Sequence, residues 1–252
     1  MKRIVNLIFL ISFVFCSELE KGIIAYENRA DGAIGTKAEP SNINQAITHF
    51  ERAVKITANE EEATVYLLKS YYYKGTFVVT DHDERKAIYN QGKDLAEKMI
   101  VKYPNSVPLR YWYLTCLGKW SEMYGIFTAA KEGVAGVMKA HSETIIDLDP
   151  EYNHGGGYFM LGAVHYKSPY IPFILSWPTN DDAIFWLKKA VNTGEATPVQ
   201  KNYLSKALYK DKQEEAAIRL VKEVISTPPD TDFLVEDRYE IEEAKKLLTD
   251  YE

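Results

Sequence analysis

The sequence predicts an all-α protein built from degenerate helical-hairpin repeats that form a short right-handed solenoid. Apolar side chains recur with helical spacing along most of the chain, as in residues 43–54, where they form a single stripe. A small–bulky–small pattern recurs at four places, with the spacing that lets two helices pack closely. We find no convincing run in which apolar and polar side chains alternate as in a half-buried strand. The chain is therefore expected to pair helices rather than to form a sheet.

The recurring pattern matches the second helix of the tetratricopeptide (TPR) unit, in which about 34 residues form two antiparallel helices. Two small residues permit close approach, the bulky residue between them fills the groove, and a proline five positions on often stops the helix. The four matches are Ala46, Phe50, Ala53 and Ala58; Gly92, Ala96, Met99 and Pro104; Ala183, Leu187, Ala190 and Glu195; and Ala217, Val221, Val224 and Pro229.

The rest of the chain is assigned around these second helices. A further second helix ends at Asp149-Pro150, and Ser41 or Asn42 is expected to cap the helix at 43–54. First helices are predicted at 62–75, 109–120, 156–167 and 199–209, which gives about four pairs. Residues 74–85 are expected to form an inserted loop, and 123–140 an extra or lengthened helix. A C-terminal helix at about 233–250 would cap the open end of the stack.

The first 17 residues have the character of a secretory signal peptide. Met1, Lys2 and Arg3 precede a largely apolar run to Phe15, which is shorter than the roughly 20 residues that span a bilayer. Cleavage is expected after Cys16 or after Ser17, and residues 18–252 are predicted to form a single TPR-like domain that is exported to the periplasm. The alternative is a lipoprotein anchored to the membrane through a lipidated Cys16, although Phe15 is atypical before an acylated cysteine.

The composition excludes several classes of function. The 252 residues carry a net charge of −6 and no basic stripe, which argues against nucleic-acid binding. After cleavage Cys116 would be the only cysteine, so no internal disulfide is expected. The sequence has no phosphate loop, dinucleotide fingerprint or nucleophile–base motif. We therefore expect a protein that is not an enzyme and that carries no cofactor and no metal.

The stretch His154-Gly155-Gly156-Gly157 resembles the oxyanion-hole motif of lipases and esterases. Such a motif needs a nucleophilic serine on a G-x-S-x-G elbow, and the chain contains no such pentapeptide. In a helical repeat the same residues form the turn before a first helix, and Gly162 then lets a neighbouring helix come close. The repeat interpretation explains more of these residues, and the hydrolase is kept only as a contrast.

The block from Leu109 to the C-terminus resembles exported TPR-like proteins grouped with the T component of TRAP (tripartite ATP-independent periplasmic) transporters. The matching stretches are 111–113, 117–120, 145–152, 158–166, 181–191 and the closing helix, and the match is weaker in the N-terminal third. A similar pattern occurs in eukaryotic regulators of microtubule dynamics. Residues 177–181 depart from the glycine turn common in the T-component family, which leaves the shape of that loop open.

The resemblance implies an accessory periplasmic protein that docks a transporter's substrate-binding protein. It also implies assembly as homo-oligomers, with trimers expected, and a groove or pore for a small organic acid or other hydrophobic ligand. The alternative is a general TPR adaptor in the cell envelope that binds protein partners and no small ligand. A closed apolar pocket would favour the first hypothesis, and an open polar concave face the second.

Aromatic side chains on first helices are candidates for ligand or partner binding, because each combines a large apolar body with a polar group. The loop at 168–180 is unusually apolar for a connection and either contacts a partner or folds back over the core. The candidates are Tyr71, Tyr111, Trp112, Trp120, Tyr124, Tyr158, His165, Tyr170, Phe173 and Trp177. Residues 81–84 have metal-ligand types but are contiguous, so a solvated loop is expected there.

Overall fold

The computed structural model describes residues 17–171, 173 and 175–252, and regular structure in this part of the chain is helical. Isolated bridges join Ile34 to Lys37 and Ile171 to Leu175. A π-helical turn at Lys74–Val78 and two short 3-10 turns connect helices. The α-helices of the described part are α1 (Glu18–Glu27), α2 (Pro40–Ala53), α3 (Glu60–Tyr73), α4 (His82–Lys102), α5 (Val107–Tyr124), α6 (Ile126–Lys131), α7 (Val134–Leu148), α8 (Tyr152–Lys167), α9 (Asn180–Val191), α10 (Pro198–Lys210), α11 (Glu214–Ser226) and α12 (Leu234–Tyr251).

The helices pack in successive pairs, and this confirms the all-α, TPR-like solenoid. The pairs are α1 with α2, α3 with α4, α5 with α7, α8 with α9, and α10 with α11, and α12 packs on the last pair. The sequence pattern predicts no helix before α2. Because α1 completes a pair with α2, the described chain contains five pairs rather than four.

The small–bulky–small residues of the second helices are buried, as the repeat pattern requires. In α2, for example, Ala46, Phe50 and Ala53 are fully inaccessible to solvent. Burying a Phe or Leu side chain contributes about 1.5–3 kcal/mol relative to leaving it exposed. The corresponding residues of α9 and α11 are buried in the same way, namely Ala183, Leu187, Ala190, Ala217, Val221 and Val224.

Three local predictions are corrected by the structure. Helix α2 is preceded by Glu39 as its N-cap and begins at Pro40, so neither Ser41 nor Asn42 caps it. Proline suits the first helical position because that position has no hydrogen-bond partner for an N–H. The segment 74–85 is mostly helical rather than a loop, since the π-helical turn is followed by α4 from His82. Asp81 caps α4 by accepting from the backbone N–H groups of Asp83 and Glu84, so 81–84 is a helix start rather than a solvated loop.

The region 123–140 contains the predicted extra helix, which is α6. Gly125 and Gly133 have positive φ angles of 83° and 69°, and they break the chain before and after α6. Left-handed backbone is readily available to glycine, so these two positions turn the chain sharply. Helix α6 therefore packs beside α5 and contributes residues to the inner side of the solenoid.

The predicted signal peptide lies outside the described residues except for Ser17. The Ser17 hydroxyl accepts a hydrogen bond from the Glu20 N–H at 3.2 Å, and the Glu20 carboxylate accepts from the Ser17 N–H at 2.7 Å. This reciprocal capping box starts α1. Cleavage after Ser17 would remove it. None of the helices among the described residues has the length and apolar character needed to span a membrane.

Helix α12 does more than cap the last pair. Its C-terminal half packs on α11 through Ala244, Val221 and Val224. Its N-terminal part reaches the first pair, where Glu236 forms a buried ion pair with Arg29 at 2.8 Å. The two partners are 207 residues apart in the sequence. The solenoid is thereby closed into a ring, with α12 lying across its inner side.

Candidate functional site

We define the inner face of the solenoid as the side formed by α3, α5, α8 and α10, across which α12 lies. A cavity of about 450 Å³ is found on this face. The four helices that form this face are the first helices of their pairs. Helices α6 and α7 and the loop at 168–180 add the remaining wall. Cavities of roughly 300–1,000 Å³ with apolar walls and a few polar groups are typical of small-molecule sites.

One end of the cavity is apolar. Helices α5, α7 and α8 and the loop residue Leu175 present aliphatic and aromatic side chains there, and small residues of α6 and α8 leave the space open. Val134, Phe159 and Met160 are themselves largely buried. The apolar lining consists of Leu114, Val134, Met138, Phe159, Met160, Ala163, Val164 and Leu175. This end suits a hydrocarbon or aromatic group.

The other end contains charged groups centred on Lys119. Its ammonium pairs with the Glu122 carboxylate at 3.0 Å, and Lys167 lies 3.7 Å from the same carboxylate. Burial disfavours the charge of Lys119, but Glu122 and the surrounding phenols outweigh this, so the pKa of Lys119 lies above its ordinary value. Lys119 is therefore a permanent cation that the protein itself neutralises.

Three tyrosines and a second lysine complete the polar end, and these four groups have no hydrogen-bond or ion-pair partner among the described residues. They are Tyr72 of α3, Tyr203 and Lys206 of α10, and Tyr239 of α12. Burial raises the pKa of all three phenols, which keeps them neutral donors. Burial lowers the pKa of Lys206. Groups that can donate to an acceptor thus converge on one space without receiving one from the protein.

Glu240 stands beside these donors. Its carboxylate accepts a hydrogen bond from the Asn202 amide at 2.8 Å, and burial raises its pKa. The carboxylates of Glu240, Glu243 and Glu122 act on Lys206 as nearby negative charges, but none of them forms an ion pair with it within the described part of the chain.

The sequence-predicted site residues lie elsewhere, and none of the ten lines this cavity. Tyr71 and Tyr111 are buried in the core, where the Tyr71 hydroxyl donates to Glu51 at 3.4 Å. Trp112 is half-buried and contacts Tyr72 at a ring-centroid distance of 5.9 Å. The binding role of all ten residues stays a prediction. Tyr71, Tyr111 and Trp112 pack against other side chains of the protein.

Trp120 and Tyr124 form a polar and aromatic cluster with α4. Their rings stack at 4.5 Å, and Asn90 bridges them by accepting from the Trp120 indole at 2.7 Å and donating to the Tyr124 hydroxyl at 2.8 Å. This cluster fixes α5 against α4. A role in positioning helices accounts for its hydrogen bonds.

Two further candidates belong to α8. Tyr158 stacks on Trp186 of α9 at 6.0 Å, on a shallow surface away from the cavity. His165 is buried, accepts from the Thr179 N–H at 3.3 Å, and contacts Trp177 edge-on at 4.8 Å. Burial lowers the pKa of His165, so the ring is held as a neutral acceptor.

The loop at 168–180 combines both alternatives that the sequence left open. Leu175 and Pro178 are buried against the protein, and Trp177 packs beside Lys139 at 4.9 Å. At the tip, Phe173 is fully exposed with a φ angle of 65°, and Tyr170 is 65% exposed. The base of the loop folds back over the protein and lines the cavity through Ser168, Pro169 and Leu175, while the side chains at its tip are exposed.

The glycine stretch at 154–157 forms a turn and a helix contact. Asn153, His154 and Gly155 have left-handed backbone, and α8 becomes regular from Gly156. A Cβ on Gly156 would lie 2.6 Å from the Tyr111 ring. The His154 carbonyl accepts from Gln200 at 2.8 Å, and within the described chain no serine bonds to this histidine. The turn thus lacks the nucleophile of a hydrolase.

The cavity donors were missed because helix register alone does not say which side of a helix faces the interior. Tyr71, Tyr72 and Tyr73 are consecutive and cannot share a face. Tyr72 faces the interior because α12 lies on that side of α3. No periodic pattern in the sequence indicates that α12 returns to the first pair. No cluster of three or more metal-ligand side chains occurs among the described residues.

Comparison with known proteins supports this fold independently. The family model of regulator of microtubule dynamics protein 1-3 matches residues 62–252. The crystal structure of TTC0263, a thermophilic TPR protein of Thermus thermophilus, superposes with a TM-score of 0.59 and 14% sequence identity, covering 93% of this chain and 96% of that chain. No match was found among curated proteins. Neither similarity concerns a TRAP transporter component, so that resemblance stays a prediction.

Proposed function

This chain belongs to the regulator of microtubule dynamics protein 1-3 family, and from that premise we propose that it is a non-enzymatic TPR-like binding protein whose inner cavity holds a small amphipathic organic acid. The observation that carries the proposal is the convergence of four donors without protein acceptors on one end of the cavity. The donors are Tyr72, Tyr203, Lys206 and Tyr239.

An anionic head group suits the polar end. Three neutral phenols and an ammonium can donate to the oxygens of a carboxylate, and a hydrogen bond to a charged group contributes about 1.5–3 kcal/mol. The negative charge would also compensate Lys206, which the protein leaves without an ion pair among the described residues. A ligand without acceptors would leave these donors unsatisfied.

An apolar body suits the other end. Phe159, Met160 and Leu175 form an apolar wall. Each CH₂ group of a ligand that is buried against it contributes about 0.8 kcal/mol to the free energy of binding. The small side chains of Ala129, Ala130 and Ala163 leave room beside this wall. The combination favours an acid with a hydrocarbon or aromatic part over a small polar metabolite.

The direct test is a fluorescence titration of the full chain with dansyl-labelled undecanoic acid. We expect the Lys206→Met variant to bind this probe with a Kd at least about 10-fold higher, since one charged hydrogen bond is lost. The control is Lys188→Met, which removes an exposed lysine of α9 outside the cavity. That variant should keep the wild-type Kd.

The uncharged methyl ester of the same probe separates the two ends of the site. The ester should bind the wild-type protein more weakly than the acid and should not discriminate between wild type and Lys206→Met. Equal binding of acid and ester to the wild-type protein would contradict the assignment of the polar end. Absence of binding by both would contradict the ligand function itself.

We further propose that the protein is exported to the periplasm and acts there as an accessory component of a TRAP-type transporter. Its partner would be the transporter's substrate-binding protein. The resemblance to T components supports it, as does an exposed apolar rim beside the cavity. We call rim the exposed residues Ile126 and Phe127 of α6 and Tyr170 and Phe173 of the loop; Ile126 lines the cavity, and the others are close in sequence to residues that do. A substrate-binding protein docking there would face the mouth of the cavity.

Pull-down with the tagged protein from periplasmic extract, followed by native mass spectrometry, tests this role. A stoichiometric complex with one substrate-binding protein, abolished by Phe127→Asp with Phe173→Asp, would support it. Recovery of assorted envelope proteins with no retained small molecule would contradict it and favour the alternative, a general TPR adaptor. The same spectra report whether the chain forms the trimers that the resemblance implies.

A further inference from the structure

The ring closure brings the first pair of helices against α12. Arg29 follows α1, is buried, and donates two hydrogen bonds to one carboxylate oxygen of Glu236, at 2.8 and 3.0 Å, and a third to the Asp232 carbonyl. The Tyr73 hydroxyl donates to the Arg29 carbonyl, and the Phe77 and Tyr239 rings meet at 5.8 Å. We call these five contacting residues, Arg29, Tyr73, Phe77, Glu236 and Tyr239, the junction.

The two halves of α12 are held by different kinds of contact. The C-terminal half packs on α10 and α11, where Ala244 joins an apolar cluster and the Tyr251 ring stacks on Tyr209 at 3.9 Å. The N-terminal half meets the first pair through side chains, with the buried ion pair at its centre. Residues 227–233, which precede α12, are almost entirely exposed. The N-terminal half of α12 therefore combines this ion pair with apolar contacts, which are the fully buried Val235 and the Tyr239 ring against Phe77.

The ion pair at the junction is also incompletely satisfied. The second carboxylate oxygen of Glu236 is buried without a hydrogen-bond partner, and burial raises the pKa of this carboxyl despite Arg29. Removing two charges from water offsets much of their attraction, so a buried pair adds little net stability. In a solenoid each repeat contacts its neighbours, and a contact between the first pair and the last helix can be lost without unpacking either.

The junction also divides the donors of the cavity between two sides. Tyr72 belongs to α3 on the side of the first pairs, and Tyr239 belongs to α12. Tyr72 and Tyr239 both contact Phe77, at ring distances of 5.9 and 5.8 Å from its centroid. Separation of α12 from Phe77 would part these donors and widen the cavity at its polar end.

We propose that the ring opens at the junction between Arg29 and Glu236, and that this opening is the route by which a ligand enters and leaves the inner cavity. The part of the proposal that concerns ligand entry rests on the function proposed above. The opening itself does not. Helix α12 stays on α10 and α11 while its N-terminal half moves away from the first pair.

Hydrogen–deuterium exchange of the full chain tests the opening without any ligand. The Arg29→Lys variant retains the charge but loses the two-pronged contact with Glu236. We expect exchange at residues 28–34 and 234–240 to become at least about 10-fold faster, with 244–251 and α8 unchanged. The control is Glu242→Gln, which breaks a half-exposed pair with Lys245 on the same helix and should change neither segment.

Each other outcome overturns the proposal. Faster exchange throughout the chain would make Arg29 a general stabilising residue, and unchanged exchange would mean that the junction does not govern opening. Stopped-flow mixing with the dansyl-labelled acid then tests the route. Arg29→Lys should speed both entry and release by similar factors, about 5-fold or more, and leave the Kd nearly constant.

Unchanged entry and release rates despite faster exchange at the junction would place the route elsewhere. If the wild-type protein binds no probe, the proposed function fails, and the exchange experiment still decides whether the junction opens.

Discussion

Helix α8 has two faces that differ in how completely they are packed. On one face, Gly162 receives Leu187 of α9 so closely that a Cβ on the glycine would lie 2.6 Å from the leucine side chain and 2.9 Å from its backbone nitrogen. On the other face, Ala163 and Phe159 border the open cavity. Adjacent residues of a single helix thus serve a tight seam and an open space.

The difference separates stability from binding in this protein. The seam between α8 and α9 is filled to the density of a protein interior, where added atoms have nowhere to go. The cavity leaves apolar side chains and hydrogen-bond donors without protein partners among the described residues. Substitutions in the seam should therefore change the free energy of unfolding, and those in the cavity should change affinity.

The largest effect is expected at the seam. Gly162→Val should lower the free energy of unfolding by about 3 kcal/mol, because the new side chain would collide with the Leu187 backbone as well as its side chain. Urea denaturation followed by circular dichroism measures this change.

The matched control for the seam is another helical glycine. Gly136 of α7 has no atom within 4 Å of a Cβ built on it, and Gly136→Ala should raise stability by about 0.5–1 kcal/mol through helix propensity. Equal losses at both positions would remove the distinction between seam and open surface.

One residue further along α8, the expected effect shifts from stability to binding. Ala163→Leu extends a side chain into the cavity, so the free energy of unfolding should be unchanged or raised by about 1 kcal/mol. Binding of the dansyl-labelled acid should weaken at least about 10-fold. A loss of stability as large as that of Gly162→Val would show that the cavity face is as tightly packed as the seam.

The smallest effect is expected at the edge of the solenoid, where polar contacts of Glu18 with α2 add to the apolar packing of Gly22 on Phe50. Hydrogen bonds from His49 and Lys21 lower the pKa of Glu18 to about 2, against an ordinary value of 4.5. A lowered folded-state pKa gives a contribution that is present above pH 4.5 and is lost as the pH falls toward 2. The protection factors of α1 amides, which are exchange rates corrected for the intrinsic rate at each pH, should fall over this range, and Glu18→Gln should reduce this fall.

The tight seams were predictable from the sequence, and the cavity was not. The spacing of Ala183, Leu187 and Ala190 and the Leu161-Gly162 pair are local patterns whose period matches the helix, so they identified α8 and α9 as packed partners. Helix α1 was not predicted although Ser17 and Glu20 form a capping box, because this box lies directly at the predicted cleavage site of the signal peptide.

The cavity residues depend on contacts between distant parts of the chain. Tyr72 and Lys206 become neighbours of one space only because α12 crosses the inner face, and that path is fixed by Arg29 and Glu236. An arginine and a glutamate separated by most of the chain give no periodic or motif-like pattern. The position of an aromatic residue on a first helix therefore does not show whether it lies on the side that α12 covers.

Closure of the ring bears on how the protein unfolds. An open solenoid behaves as a one-dimensional array in which a terminal repeat can fray while the others persist. Here the first pair and the last helix are each other's neighbours through Arg29 and Glu236, so neither is an open end while the junction stays closed. The closed molecule should lose its structure in one cooperative transition, and opening the ring should let the repeats melt one after another from the first.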